Sequence, residues 1–333
     1  MKRLAVSAVL GTLAVAVASQ LSAAPAEVVI RFSHVVAQDT PKGQMVQRLG
    51  ALVAQRSGGR IRVDIFPDSQ LYGDEDEMEA LKLGAVEMLA PSLSKFGSVG
   101  LPEFEVFDLP YLFTDTAQVQ RLMHGPVGQR LLAQLERQQM VGLGFLDNGF
   151  KQMSARKPLR TAADFKGLRL RVQSSAVLVA QMQALGAKAV VLPFAETRRA
   201  LVHGVVDGTE NPLSNFLTQG LATVQPHVTL TQHGYLGYLV VTNPRFWASL
   251  KPADRALLRQ CLQDALAFGN RKSAEMNQQA QDSLSRMPGL QLHVLTAAER
   301  SALRQAAQPA YAAFARSVEP AFMRDVRRAL DPN

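Results

Sequence analysis

Two positively charged side chains stand in segments of the sequence that are otherwise apolar or turn-forming. Arg171 lies in GLRLRV, which has the alternation of a strand, and Lys151 lies in DNGFKQMSA. A charge in such surroundings is costly unless it meets an opposite charge. Both are therefore predicted to bind an anion, and Arg171 suits a carboxylate because its planar guanidinium can bind both oxygens at once. The alternative for Arg171 is an ion pair with a protein acid such as Glu210.

Polar residues also follow two predicted strands. His34 comes at the end of EVVIRFSHV, and Ser92 comes directly after AVEMLAP. In open α/β sheets, ligands bind beyond the carboxyl ends of the strands, so both residues are candidate ligand contacts. The alternatives are a structural hydrogen bond for His34 and the capping of a strand end by Ser92.

The residue types needed for catalysis are not arranged in a recognisable pattern. No GxSxG, HExxH, SxxK or CxxC string occurs, and the histidines lack a nucleophile at a recognisable spacing. Cys261 is the single cysteine, which excludes an internal disulfide, and its neighbours predict a small apolar residue on a helix. No cofactor and no metal site are predicted. A hydrolase or lyase acting on a dicarboxylate is the less favoured alternative.

The elements that must position these residues alternate between strand and helix. The segments EVVIRFSHV, RIRVDIF and AVEMLAP read as strands, and helical segments separate them. This order predicts an α/β fold with mostly parallel sheets flanked by helices. The formal net charge is +8, but no dense run of Lys and Arg with interleaved aromatics occurs, so no nucleic-acid partner is predicted.

An internal repeat predicts two lobes. The string ALKLGAVEMLAP from Ala80 matches ALVHGVVDGTENP from Ala200, and RIRV from Arg60 matches RLRV from Arg169. Two copies are too few for a solenoid, so paired lobes are favoured over an array. A helical pattern then runs from Pro252 to about residue 287 and is long enough to cross both lobes, although a break at Gly269 or Asn270 is the alternative.

The first residues predict export. Lys2 and Arg3 precede an apolar run and then small residues, which is the pattern of a secretory signal peptide. It covers residues 1–24, with cleavage possibly as late as Ala26. The alternative is a membrane anchor, but the apolar run is shorter than the ~20 residues of a spanning helix.

The sequence as a whole resembles the solute-binding proteins of tripartite ATP-independent periplasmic (TRAP) transporters, and most closely their C4-dicarboxylate-binding branch. The resemblance covers nearly the whole chain after the signal peptide. It rests on the strings FSHV, GDEDEMEALKLGAVEMLAPSLSKF, FDLPYLF, DNGFKQMSA, KGLRLRVQSS, LGA, GVVDGTENP and HGYLGY. It implies a two-lobed periplasmic-binding-protein fold that closes on a carboxylate. The first lobe is expected at residues 27–148 and about 237–276, and the second at residues 149–236 and about 277–333.

The resemblance also implies roles for particular residues. The family's carboxylate-binding arginine falls on Arg171, and its asparagine falls on Asn211, which is expected to hold Arg171 or the carboxylate in position. Its second cation falls on Lys151, where sialic-acid-type relatives have arginine. Less securely matched lining positions are Ser174, Phe194 and His34.

These implications predict a periplasmic receptor that is not an enzyme. It would bind succinate, fumarate or malate as a monomer and deliver the ligand to the small and large permease subunits of a TRAP transporter. The alternatives are a receptor of the same fold for a keto acid or sugar acid, and a periplasmic ligand sensor.

Overall fold

The computed structural model describes residues 26–331, which form nine strands with helices packed on the sheet. The predicted signal peptide lies outside these residues. The strands are β1 Val28–Ser33, β2 Ile61–Phe66, β3 Met88–Leu89, β4 Val141–Ala155, β5 Arg169–Val172, β6 Lys188–Val191, β7 Gly208–Asn211, β8 His227–Thr242 and β9 Gln291–Val294. The α-helices are α1 Pro41–Ser57, α2 Glu77–Leu83, α3 Thr116–His124, α4 Pro126–Gln134, α5 Ala162–Phe165, α6 Ala176–Ala184, α7 Thr197–Val202, α8 Leu213–Thr218, α9 Pro244–Ser249, α10 Pro252–Ser285, α11 Ala297–Ala306, α12 Pro309–Ala315 and α13 Pro320–Leu330.

The sheet has two similar ends joined by two long strands. Its order is β2-β1-β3-β8-β4-β7-β5-β6, and β9 pairs in parallel with β8. At one end β1 lies parallel to β2 and β3, and at the other β5 lies parallel to β6 and β7. The long strands β4 and β8 are antiparallel and run from one end to the other. This confirms the predicted α/β fold with two lobes.

Each end has its own apolar core. In the first lobe, Phe32 of β1 and Val53 of α1 are buried with Leu262 of α10. In the second, Val172 of β5 is buried with Met182 of α6. When helices cover both faces of a sheet, the side chains on both faces of its strands are buried and must be apolar. This explains why these strands appear in the sequence as short apolar runs.

The repeat in the sequence has a structural basis, although one half of it was matched to the wrong strand. Glu87 accepts hydrogen bonds from the backbone N–H and the guanidinium of Arg31 on β1, and Asp207 does the same for Arg169 on β5. The match of Glu87 with Asp207 is thus confirmed. The equivalent of β5 is β1, however, and not the RIRV segment of β2, because β1 and β5 are the strands that lie between two parallel neighbours.

The helix α10 is continuous, as predicted, and the alternative of a break at Gly269 or Asn270 is not observed. Its 34 residues span about 51 Å at 1.5 Å per residue. A side chain at Gly269 would meet Leu146 and Met45, so glycine lets the helix approach β4 closely. Asn270 then accepts a hydrogen bond from the N–H of Asp147 at 2.9 Å. These two residues fasten the helix to the crossing strand instead of interrupting it.

Two features of the C-terminal half depend on packing. The strand β8 runs without interruption from His227 to Thr242, although Gln232 within it has a left-handed backbone conformation. The last helix, α13, was expected in the second lobe but packs on α3 and α4 of the first lobe through Phe322 and Val326. The other lobe boundaries stay predictions. Within residues 26–331, no helix combines the length and apolarity of a membrane span.

Candidate functional site

Arg171 is the third residue of the four-residue strand β5 and is buried, with 2% of its surface exposed. Its Nε donates a hydrogen bond to the carbonyl of Leu192 at 2.9 Å, and its guanidinium lies 5.7 Å from the centre of the Phe194 ring. No carboxylate of the described residues forms an ion pair with it. Burial lowers the pKa of Arg171, while the negative charges of Asp74 and Glu210 act in the opposite direction. The guanidinium is thus a buried charge that lacks a protein counterion.

Arg171 faces a small cavity, which we call the inner chamber. The volume open to the centre of a water molecule is about 20 Å³, which is room for about one water molecule, so the lining must move apart to admit a larger ligand. The inner chamber brings together residues of β5, β7 and β8 with residues of the first lobe. Its lining residues are Val35, Val36, Lys42, Asp74, Ser92, Lys95, Arg171, Gln173, Phe194, Asn211, Asn215, Leu236 and Tyr238.

Lys42 is the second cation of the inner chamber, and the sequence reasoning missed it. It lies in the first turn of α1 and is fully buried. Its Nζ donates a hydrogen bond to the carbonyl of Ala90 at 2.9 Å and lies 3.9 Å from the centre of the Tyr238 ring. No carboxylate among residues 26–331 pairs with it. Burial lowers the pKa of Lys42 to about 7.

A signal for Lys42 was present in the sequence. Thr40 caps the helix by accepting the N–H of Gly43, and Pro41 occupies the first turn. The N-terminus of a helix carries a partial positive charge, so a buried lysine there is unfavourable without a nearby anion. A lysine directly after a capping Thr-Pro pair could therefore have been identified as an anion contact.

The predicted residues His34 and Ser92 lie on the first-lobe side of the site. Ser92 lines the inner chamber, and its buried Oγ has no hydrogen-bond partner among the described residues. His34 is fully buried next to the lining residues Val35 and Val36, and both of its ring nitrogens lack partners within the same part of the chain. Burial and the nearby charge of Lys42 lower the pKa of His34 to about 3, so its imidazole is neutral.

The predicted residues of the second lobe divide between two cavities. Asn211 and Phe194 line the inner chamber, and the side-chain amide of Asn211 donates only a long bond of 3.4 Å to Thr209. Ser174 lines a second cavity, which we call the outer chamber, with a volume of about 320 Å³. The outer chamber is lined by Asp74, Glu75, Met78, Lys95, Ser98, Val99, Arg171, Gln173, Ser174, Val191, Leu192 and Pro193.

Lys151 is not brought to either chamber. Its Nζ lies 2.9 Å from a carboxylate oxygen of Asp108 and 2.9 Å from one of Glu210, and all three side chains are buried. His233 adds a 2.7 Å contact to the other oxygen of Glu210. Burial raises the pKa of Glu210, but the charge of Lys151 and the hydrogen bond from His233 outweigh it and lower that pKa to about 2.

This cluster differs from the expectation of a free cation at Lys151, whose ligand role stays a prediction, and from the alternative for Arg171. Glu210, which was considered as a partner for Arg171, pairs with Lys151 instead. The second carboxylate comes from Asp108 at the end of a short 3₁₀ helix, 43 residues earlier in the chain, so no local pattern around Lys151 indicates it. With two protein carboxylates on Nζ, the charge of Lys151 is balanced within the protein in this structure.

The chambers hold groups suited to binding, and the arrangement needed for group transfer is not present among the described residues. Hydroxyl, amide and phenol groups accompany the two cations, but no nucleophile is hydrogen-bonded to a general base there. No cluster of three or more metal-ligating side chains occurs in residues 26–331. The site can hold an anion with two separated negative charges.

Comparison with known proteins agrees with this chemistry. Residues 32–317 match the family model described as bacterial extracellular solute-binding protein, family 7. The C4-dicarboxylate-binding periplasmic protein DctP of Rhodobacter capsulatus is 46% identical over 305 residues, which cover 91% of each chain.

Two solved structures of TRAP periplasmic solute-binding proteins are also similar. One, from Shewanella oneidensis with bound succinate, is 41% identical with a TM-score of 0.89 and covers 92% of this chain and 100% of that one. Another, from Pseudomonas aeruginosa with bound L-malate, is 39% identical with a TM-score of 0.83. It covers 86% of this chain and 99% of that one. The resemblance to TRAP solute-binding proteins is confirmed, and the chain belongs to the bacterial extracellular solute-binding proteins of family 7.

Proposed function

We propose that this protein is a periplasmic receptor that captures a C4-dicarboxylate and delivers it to the membrane permease of a TRAP transporter. The ligand lies in the inner chamber, with one carboxylate on Arg171 and the other on Lys42. Succinate, fumarate and malate are the expected ligands. The observation that carries the proposal is that two buried cations without protein carboxylates line one narrow chamber.

The energetic argument rests on the cost of burying charge. Each cation has lost its hydration, and neither has a protein counterion among the described residues to compensate. A ligand that supplies one carboxylate to each cation removes both penalties, and a low local dielectric strengthens each attraction. A monocarboxylate would leave one cation unpaired and is expected to bind far more weakly.

Neutral donors complete the chamber. Ser92 and Asn211 can donate hydrogen bonds to carboxylate oxygens. Asn215 also lines the chamber, and its side-chain amide donates a hydrogen bond to the hydroxyl of Tyr238 at 3.3 Å. Hydrogen bonds from neutral donors to carboxylates are charge-assisted and therefore stronger than those between neutral groups. They also supply partners for the hydroxyl group of malate.

The positions of the two cations explain how binding couples to closure. Lys42 belongs to α1 of the first lobe, and Arg171 belongs to β5 of the second. Only a conformation with the lobes together lets one short diacid reach both. Such a ligand favours the closed conformation because its affinity for that conformation is higher.

The remaining parts of the proposal are supported by the relatives. Two of the matching relatives, 46% and 41% identical, are named C4-dicarboxylate-binding periplasmic proteins, which supports export of this chain and a transport role. We also propose that the protein acts as a monomer and that it works with small and large permease subunits. It is proposed to release its ligand chemically unchanged. A sensor would use the same chamber and differ only in its partner.

Isothermal titration of protein that has been unfolded and refolded to remove carried-over ligand tests the proposal. The panel is succinate, fumarate and L-malate, with butyrate, pyruvate and glucuronate for comparison. We expect butyrate to bind at least about a hundredfold more weakly than succinate, because leaving one buried charge unpaired costs several kcal/mol. Equal affinity for butyrate, or preferred binding of glucuronate, would contradict the dicarboxylate role. Proton NMR of the incubated fumarate would reveal any turnover.

A further inference from the structure

The inner and outer chambers are separated by a small set of side chains. Asp74, Lys95, Arg171 and Gln173 line both cavities, so they form the partition between them. The volumes on the two sides differ greatly, at about 20 Å³ and about 320 Å³. The partition therefore limits how far a ligand in the inner chamber can extend.

Asp74 is the residue that ties this partition to both lobes. Its carboxylate accepts a hydrogen bond from the backbone N–H of Phe194 and forms an ion pair with Lys95. Lys95 in turn pairs with the buried Glu77. The bond to Phe194 joins residues that are 120 positions apart and holds its ring next to the guanidinium of Arg171. The partition is thus held by a charged and hydrogen-bonded side chain.

The outer chamber offers a suitable surface for a methylene chain. Part of its lining is apolar, including Met78, Val99, Leu192 and Pro193, and these side chains lie beside polar and charged residues such as Glu75 and Ser98. Arg171 is accessible from this side as well as from the inner chamber. A longer diacid could keep one carboxylate on Lys42 and reach Arg171 with the other from the outer side, if the partition were open.

We propose that Asp74 is a specificity-determining residue that sets the maximum length of the dicarboxylate. This inference rests on the proposed function, since it concerns the length of the ligand in the same chamber. With Asp74 in place, the partition confines the ligand to four carbons. Without its carboxylate, the two chambers join, and diacids of six or more carbons gain a path into the outer chamber, where Met78, Val99, Leu192 and Pro193 can contact the added methylene groups.

Removing this side chain leaves no buried lysine unpaired. In Asp74→Ala, Lys95 keeps its ion pair with Glu77, although one negative charge near Arg171 and Lys42 is removed. Asp74→Asn retains the size of the side chain and an oxygen that can accept the N–H of Phe194. The pair of variants therefore separates the volume of the side chain from its charge.

A matched control exists outside the chambers. Glu105 of the first lobe accepts the N–H of Val177 at the start of α6 at 3.1 Å, which is another contact between the lobes. Glu105 lines neither chamber. Glu105→Gln weakens a contact between the lobes without changing the partition, so it should affect diacids of all lengths alike.

The experiment measures the affinities of succinate, glutarate, adipate and suberate by isothermal titration for the four proteins. In the wild type we expect adipate to bind at least about a hundredfold more weakly than succinate, since a single misplaced methylene can cost ten- to two-hundredfold. In Asp74→Ala that ratio should fall at least about tenfold. In Asp74→Asn and Glu105→Gln it should stay within about threefold of the wild-type value.

The outcomes separate this inference from the proposed function. A wild type that binds no C4-dicarboxylate overturns the proposed function and the length limit together. Retained succinate binding with an unchanged ratio in Asp74→Ala overturns the length limit alone. The same relaxation in Asp74→Asn also overturns it, because charge and not volume would then set the length. If thermal melting shows that Asp74→Ala is unfolded, Asp74→Ser takes its place, because serine also removes most of the volume of the carboxylate.

Discussion

Two buried cationic regions of this protein look alike in sequence and differ in what balances their charge. Lys151 contacts the carboxylates of Asp108 and Glu210 at 2.9 Å each, so the protein itself supplies its counterions. Arg171 and Lys42 are as deeply buried, but their hydrogen bonds within the described residues go to backbone carbonyls. Burial of a cation therefore does not by itself identify a ligand site. The identity of the nearest anions does, and that depends on tertiary contacts.

The largest effect in this comparison is expected for stability, in Lys151→Met. Removing the lysine leaves Asp108 and Glu210 buried together without a counterion. Breaking a buried ion pair in this way costs about 3 to 5 kcal/mol. Urea unfolding should show this loss in the free energy of unfolding, while the ratio of succinate to butyrate affinity in the folded fraction stays unchanged. A large change in that ratio with little loss of stability would instead restore a ligand role for Lys151.

The next largest effect is expected for affinity, in Arg171→Ala. We expect succinate to bind at least about a hundredfold more weakly, or about 2.7 kcal/mol, which lies within the range of about 2 to 5 kcal/mol for truncating one partner of a buried charge pair. The fold should be retained, because no protein carboxylate among residues 26–331 loses a partner. Arg169→Ala is the matched control on the same strand: it removes an exposed ion pair with Asp207 and should leave affinity unchanged. Normal succinate binding by Arg171→Ala would contradict the proposed role.

A smaller effect is expected in Lys42→Met. Affinity for succinate should fall about thirtyfold, or about 2 kcal/mol, because lysine binds a carboxylate as a point charge without the bidentate geometry of arginine. Affinity for butyrate should change much less, since butyrate has no second carboxylate. Arg48→Met removes a charge from the exposed side of the same helix and serves as the control. Equal losses for succinate and butyrate would show that Lys42 does not bind the second carboxylate.

The smallest effect is a dependence of affinity on pH. The pKa of Lys42 is lowered to about 7 by burial, with Lys95 acting in the same direction and Glu77 and Asp74 opposing it. His34 and Tyr238 also face this lysine, but the pKa of His34 is lowered to about 3 and that of Tyr238 is raised by burial, so neither titrates near pH 7.

The sign follows from which form binds the ligand. A bound carboxylate favours protonated Lys42, so below pH 7 the free protein already carries the proton, and above it binding must take one up. Succinate affinity should therefore fall by up to about tenfold between pH 7 and 8. Titrations in buffers of different ionisation enthalpy measure the proton uptake. A wild-type slope that persists in Lys42→Met would assign the titration to another group.

The fold was predictable from the sequence because local patterns carry it. The alternation of strands and helices, and the match of Glu87 with Asp207, come from short segments and led to two lobes. The wrong match of RIRV with RLRV shows the limit of this reasoning, because four alternating residues fit any strand. The placement of α13 on the first lobe also depends on long-range packing, which no local pattern records.

The site was only partly predictable, and for the same reason. Arg171 was identified because a charge interrupts an apolar strand. Lys42 was missed because its burial depends on the contact with Tyr238 on β8, which is distant in the sequence. The counterions of Lys151 come from two other segments, 43 and 59 residues away. The sequence shows which side chains are charged, but the tertiary structure determines which groups they contact.

The most direct test of this account is a crystal structure of the protein with succinate. We predict that one carboxylate of succinate binds the guanidinium of Arg171 and the other lies within hydrogen-bond distance of Nζ of Lys42. Lys151 should remain paired with Asp108 and Glu210. A succinate carboxylate bound to Lys151, or a ligand that contacts Arg171 but leaves Lys42 without an anion, would contradict the division between the two cationic regions.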